Sequence, residues 1–167
     1  MAEMKAAIVT GGGQGIGKAI SKRLLENRFK VCIAEIDPDA GRETAAELSD
    51  IGEIIFVETD VSNEMTVSYM TNETALRFGR IDALVNNAGI FQTSTLSDLT
   101  LDAWNQIISV NLTGTFLCSK YAAPFLSAHH GIIINISSTR ALMSEPQTSQ
   151  KKTKPSTLLV ESAHLMM

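Results

Sequence analysis

Lys5–Gly17 reads KAAIVTGGGQGIG. Its first half, Lys5–Thr10, reads as a strand buried on both faces, apolar without a break from Ala6 to Val9. Glycines then crowd the chain, and Ile16, Ala19, Ile20 and Leu24 follow at helical spacing as far as Asn27. A buried strand, a glycine loop and a helix in that order predict an anion site. Glycines at 11, 15 and 17 let backbone approach a pyrophosphate closely, and the helix N-terminus offers unpaired N–H groups and partial positive charge. Two other phosphate loops fail on the same letters. The G-x-G-x-x-G pattern finds no register, because from Gly11 its last place is Ile16 and from Gly13 it is Lys18. The P-loop pattern runs from Gly12 to Lys18, but Ala19 stands where a hydroxyl must hold Mg²⁺. What remains is T-G-x-x-x-G-I-G, Thr10 to Gly17.

Outward from this loop, apolar runs and helical patterns alternate. Strands are expected at Lys30–Glu35, Glu53–Glu58, Ile81–Val85 and Ile132–Ile136. Helices are expected over Pro38–Asp50, with proline in the first turn, and from Ser62 to Phe78, stopped by Gly79. A long one is expected from Leu101 to His129 behind a Thr100 cap. Near-continuous apolar strands in this order predict an α/β fold: a Rossmann-like, doubly wound parallel sheet covered on both faces. Residues 1–146 form the expected dinucleotide-binding domain. Residues 147–167 form an atypical tail, polar and basic through QTSQKKTKP and weakly apolar afterwards.

Composition excludes several function classes. A chain of 167 residues suits one domain, and a net charge of −4 argues against nucleic acid as partner. The N-terminus enters a strand at once and is not a signal peptide, and no apolar run is long enough to span a bilayer. A cytoplasmic location is the expectation. Cys32 and Cys118 lie inside apolar segments and read as buried hydrophobes, and no metal site is expected.

Four further segments fall at strand ends or inside the long helix: Glu35, Asp60-Val61, Asn86-Asn87-Ala88-Gly89, and Asn111 within VNLTGTF. IINISS closes the fifth expected strand on Ser138. Taken singly, each reads as a strand-exit turn or, for Glu35, a solvated strand end. Asn is a mediocre helix former, so Asn111 in mid-helix suggests a specific role. Together with Thr10–Gly17, these segments resemble the short-chain dehydrogenase/reductase family, in its order and spacing, from Lys5 to Pro146.

That resemblance implies an oxidoreductase moving hydride between a nicotinamide dinucleotide and a secondary alcohol or ketone. It implies that Thr10, Gly11, Gly15, Ile16 and Gly17 cradle the cofactor. Glu35 would accept the adenosine ribose hydroxyls and repel a 2′-phosphate, and Gln14 stands where NADP-preferring members often carry a basic residue, so NAD is expected over NADP. Asp60 and Val61 would meet the adenine, and Asn87, Ala88 and Gly89 would line the adenine-ribose side. Ser138 would bind the substrate oxygen, and the backbone of Asn111 would hold a relay water. A small-molecule substrate follows from the same resemblance. So does a homo-oligomer through the Leu101–His129 helix, although its Trp104, Ile108, Leu112 and Phe116 stripe reads equally as packing on the sheet.

The resemblance breaks in the tail: beside the family's longer catalytic domain it implies a fold that is C-terminally incomplete, with IIINI left as an apolar edge. The family's proton-transferring tyrosine and its lysine, which lowers the tyrosine pKa and holds the nicotinamide ribose, would fall on Lys151 and Pro155. Only Tyr69 and Tyr121 occur elsewhere, neither at a suitable place. The chain is expected to be catalytically silent. The alternative is a non-catalytic dinucleotide- or partner-binding protein on the same half-fold.

Overall fold

Ala6–Thr10 (β1) is buried at every residue, as a strand with neighbours on both edges and layers on both faces must be. The structure, a computed structural model, describes residues 4–93, 95, 97–138 and 158–163, the last as backbone only. β1 is followed by α1 (Gly15–Glu26), β2 (Lys30–Glu35), α2 (Pro38–Leu48), β3 (Ile54–Glu58), α3 (Glu64–Phe78) and β4 (Ala83–Asn86). Then come α4 (Leu101–Ile108), a π-helical segment (Ser109–Thr113), α5 (Gly114–Ala128), β5 (Ile132–Ser138) and β6 (Leu158–Ala163). The sheet order is β3-β2-β1-β4-β5-β6. The first five strands pair in parallel.

Alternation along the strands sorts the core into two layers. Ile8, Cys32 and Leu84 pack with Val67, Met70, Leu117 and Leu126 of α3 and α5. Val9, Val31, Ile33 and Val85 pack with Leu25 of α1 and Leu48 of α2. The sheet is thus doubly wound, and the chain reverses its direction of travel between β1 and β4. Open α/β sheets bind ligands in the crevice at that switch point. Burial pushes the Cys32 and Cys118 thiols up to about 12, so both are inert core groups.

Local signals account for the helix ends. Asp37 caps α2 by accepting from the N–H groups of Asp39 and Ala40, with Pro38 in the first turn. Asn63 caps α3, which Gly79 ends at φ 81°. Thr100 caps α4 through the Ala103 N–H. At the opposite end of the sheet from the glycine loop, Asp82 accepts from the Ala6 N–H at 2.8 Å and from both nitrogens of the Arg80 fork.

Three expectations differ from the observed fold. The run from Leu101 is not one regular α-helix: the wide turn at Ser109–Thr113 divides it. There Asn111 is drawn sideways to the backbone of Ile90, and Gly114 lies so close to Val61 that a β-carbon would come within 2.8 Å of its Cγ2. β4 begins at Ala83 rather than Ile81. β5 runs on to Ser138 and is not a bare edge, because β6 pairs with it antiparallel, from Ser138 opposite Leu158 to Ile133 opposite Ala163. The expected boundary at residue 146, and the positions Lys151 and Pro155, lie outside the described residues.

Candidate cofactor crevice

Thr10, the last residue of β1, joins the two strands that flank the crevice. Its Oγ1 accepts from the N–H groups of Asn87 and Ala88, each at 3.0 Å, and donates to the Val85 carbonyl at 3.4 Å. Asn87 answers with Nδ2, which donates to the carbonyls of Thr10 at 3.0 Å and Gly11 at 3.1 Å. Gly11 turns at φ 62° and donates its N–H to the Ala34 carbonyl. Gly17 then packs directly on it: a β-carbon at 17 would run into the Gly11 carbonyl and come within 2.7 Å of Asn87 Nδ2. Gly15 is the opposite case, with φ 53° and nothing within 4 Å of where a β-carbon would be. The loop is packed shut behind and open in front.

The mouth of α1 suits an anion. Its N-cap, Gln14, makes no side-chain cap bond, and the first turn carries no acid. By contrast α2, α3 and α4 are each capped by a side-chain oxygen. The residues present therefore fit a dinucleotide diphosphate: donors, partial positive charge and open space meet at Gly15 and Ile16, both exposed.

Glu35 is not a solvated strand end. It is 6% exposed, and its Oε2 accepts from the Gly13 N–H at 3.1 Å. Its Oε1 accepts from Ile36 at 3.0 Å and from Asp37 at 3.3 Å. Asp60 Oδ1 accepts from the Ser62 N–H and hydroxyl, and the neighbouring Val61 is buried against Gly114. The Asn111 side chain makes a two-way bond to Ile90, each arm 2.8 Å, so it fixes the loop after Gly89. Its backbone carbonyl accepts from the Thr115 hydroxyl at 2.9 Å. Ser138 ends β5 and is exposed, one strand beyond β4.

The structure thus brings the ends of β1, β2 and β4 into one bonded group, with Asn111 tied to the β4 exit and Val61 to α5. Sequence reasoning missed Gly13, Thr44 and the Asn86–Asn135 pair. Asn86 Nδ2 donates to Asn135 Oδ1 at 2.9 Å and to Ser119 Oγ at 3.3 Å. A lone Asn inside the apolar strand IIINISS was the available signal for that pair.

Both tyrosines lie elsewhere. Tyr69 and Tyr121 line one open groove on α3 and α5. Tyr121 donates to Glu64 Oε1 at 2.7 Å, and that bond raises its pKa, opposite to what a proton-abstracting phenol needs.

Comparison with known proteins agrees with this geometry. The profile of the short chain dehydrogenase family matches residues 5–150. An uncharacterised oxidoreductase of Thermotoga maritima is 47% identical over 150 residues, which are 89% of this chain and 59% of that protein. A 3-oxoacyl-[acyl-carrier-protein] reductase of Chlamydia muridarum is 39% identical, covering 85% of this chain and 58% of its own length. Among solved structures, 7α-hydroxysteroid dehydrogenase complexed with NADH and 7-oxoglycochenodeoxycholic acid superposes with a TM-score of 0.80 at 27% identity. That match covers 84% of this chain and 56% of that one. The chain belongs to the short-chain dehydrogenase family, and it spans rather more than half the length of these relatives. No helix among the described residues is long and apolar enough to cross a membrane.

Proposed function

We propose that the chain is an NAD-type member of this oxidoreductase family which binds the dinucleotide but does not turn over as it stands. The observation that carries the binding half is the uncapped, acid-free start of α1, open in front of Gly15 and packed behind at Gly17. When bound, the nicotinamide would accept hydride from a secondary alcohol or donate it to a ketone. Gly11, Gly15, Ile16 and Gly17 would hold the diphosphate against the helix N-terminus. Glu35 would take the ribose hydroxyls with acceptor capacity beyond its three backbone bonds, since a carboxylate offers about four lone-pair sites. Its charge would repel a 2′-phosphate. Asp60 and Val61 would flank the adenine, and Asn87, Ala88 and Gly89 the adjoining ribose. Ser138 would hydrogen-bond the substrate oxygen, and Asn111 would hold the Ile90 loop beside it.

Calorimetry with both dinucleotides tests the cofactor assignment. NAD should bind more tightly than NADP, and Glu35→Ala should narrow the difference. Tighter NADP binding would sink the assignment.

The silent half of the reading rests on proton transfer. No tyrosine follows Tyr121 in the sequence, and Lys151 and Pro155 stand where the family's tyrosine and lysine are expected. General acid–base catalysis contributes about 10²–10⁴-fold, and a loosened nicotinamide loses proximity as well. NAD-linked absorbance change on a panel of secondary alcohols and ketones should therefore be undetectable. Turnover that Ser138→Ala abolishes would overturn this and make Lys151 the first residue to test. The same absence favours a second reading, a non-catalytic nucleotide-binding protein, which shares the binding prediction and differs only if a restored tyrosine and lysine leave the chain inactive.

Self-association is part of the proposal. Trp104, Leu112 and Phe116 are 50%, 64% and 60% exposed, with half-buried Ile108 between the first two, and this exposure supports a pairing face. Sedimentation at about 50 μM, a concentration that populates a dimer of micromolar Kd, should show a dimer; a clean monomer would exclude it.

A further inference from the structure

The glycine loop is gripped at a point the cofactor reading does not use. Gly13 is buried, and its peptide groups are held from two elements at once. Its N–H donates to Glu35 Oε2 from the end of β2, and its carbonyl accepts from Thr44 Oγ1 on α2 at 2.5 Å. Thr44 is 1% exposed, a hydroxyl spent wholly inside the protein. The fit is close on the loop side too: a β-carbon on Gly13 would lie 2.8 Å from Glu35 Cγ and 3.1 Å from the Ala40 carbonyl carbon.

α2 is a firm base for this grip. Gly41, one turn before Thr44, lies against the Phe56 ring so closely that a β-carbon there would overlap it. One turn after Thr44, Glu47 pairs with Lys18 of α1. A single face of α2 therefore touches β3, the glycine loop and α1 in succession. The turn leading into α2 is itself held by Glu35 Oε1 and capped by Asp37.

We propose that Thr44 is a positioning residue for the adenosine end of the dinucleotide: with Glu35 it clamps the two peptide groups that flank Gly13, and the clamp sets where the Glu35 carboxylate stands. This rests on the cofactor reading above. Without the hydroxyl, the Gly13 carbonyl is buried and unbonded, and a shift of the residue that finds it another donor also moves the preceding peptide, which carries the Gly13 N–H. Glu35 Oε2 then loses its fixed N–H, and the carboxylate that discriminates NAD from NADP is no longer held at one place. Thr44 itself touches neither ribose nor phosphate.

The test uses the whole chain. Calorimetry with NAD and NADP is run on the wild type, Thr44→Val and Thr44→Ser, with amide hydrogen exchange at Gly13 followed by NMR. Thr44→Val should weaken NAD about tenfold and shrink the preference over NADP, since loss of a buried bond of this kind corresponds to about that factor. Exchange at Gly13 should quicken while the β1 and β4 amides keep their protection. Thr44→Ser should restore all three. A merely structural threonine would lower the melting temperature and leave the NAD/NADP ratio unchanged, and that result would overturn the proposal. Rapid exchange at Gly13 in the wild type would overturn it too, whether or not the valine variant folds. Failure of the wild type to bind NAD beside a protected Gly13 would instead bring down the cofactor reading.

Discussion

Gly17→Ala should cost about 3 kcal/mol of stability, the upper end for overpacking a tight site, and abolish most NAD binding. The added methyl has nowhere to go. It meets the Gly11 carbonyl head-on and crowds Asn87 Nδ2, and both are backbone-anchored groups of the β1–β4 staple. Relief requires α1 to move away from the crevice or the staple to break. In a chain of this size such a loss lowers the melting temperature by about 6–12 °C. If the same energy must be returned to bring the helix N-terminus up to a diphosphate, affinity falls about a hundredfold. Gly15→Ala is the internal comparison. Its methyl meets no atom, so it should leave the packing intact and act through its left-handed backbone and by intruding on the open space in front of α1. Equal melting temperatures and affinities for the two variants would contradict this account of the loop.

Asp82→Asn should be comparably severe, by a different route. Burial raises the Asp82 pKa, but the Arg80 hydrogen bonds, the Ala6 N–H and the nearby positive charges outweigh it, and the net direction is down. The pair is nearly enclosed, with side-chain exposures of 16% for Arg80 and 6% for Asp82. Asparagine could keep the Ala6 bond but would remove the charge that the Arg80 fork grips, and breaking a nearly enclosed pair this way costs about 3 kcal/mol. The pH dependence has a definite sign. A carboxyl whose folded pKa is lowered contributes its full stability above the unfolded value of about 3.9 and loses it as pH falls toward the folded value. Urea unfolding between neutral pH and pH 3 should show the wild type losing stability on the acid side, and Asp82→Asn losing less because it never had this contribution. Parallel acid limbs would mean that Asp82 carries no linkage.

The parts of the fold that could be read from the letters are those whose cause is local. β1 was legible because a central strand is apolar at every position, and the glycine loop because Gly11 needs φ 62°. Pro38, Thr100 and Gly79 mark helix ends locally, whereas the equally local caps Asp37 and Asn63 went unread. The rest of what could not be read was decided across the chain. Thr44 reaches back to Gly13 over 31 residues, and in the sequence it is one more polar residue on a helix. Glu35 was expected to face a ribose, and taken singly it read as a solvated strand end; its three backbone donors are invisible until β2, α2 and the loop meet. The wide turn around Asn111 depends on Ile90 and Val61, both contributed by other connections. β6 pairs through its backbone with a strand far back in the chain, and a weakly apolar tail gives no sign of that partner. Among the site residues, the β1, β2 and β4 strand-end candidates lie together at one end of the sheet, whereas Ser138 sits a strand away, paired with β6.

The two cysteines have a use that follows from their depth. Cys32 stands at the middle of β2 and Cys118 on α5, both within the layer that α3 and α5 close over the sheet. A thiol reagent needs a thiolate and a path to it, and the closed core denies both. Any alkylation of the intact chain therefore keeps time with the parting of α3 from the sheet at Cys32 and of α5 at Cys118. The protein carries its own stopwatch for the opening of that layer, and a dinucleotide that binds only the closed, folded chain would slow it by no more than its own binding free energy.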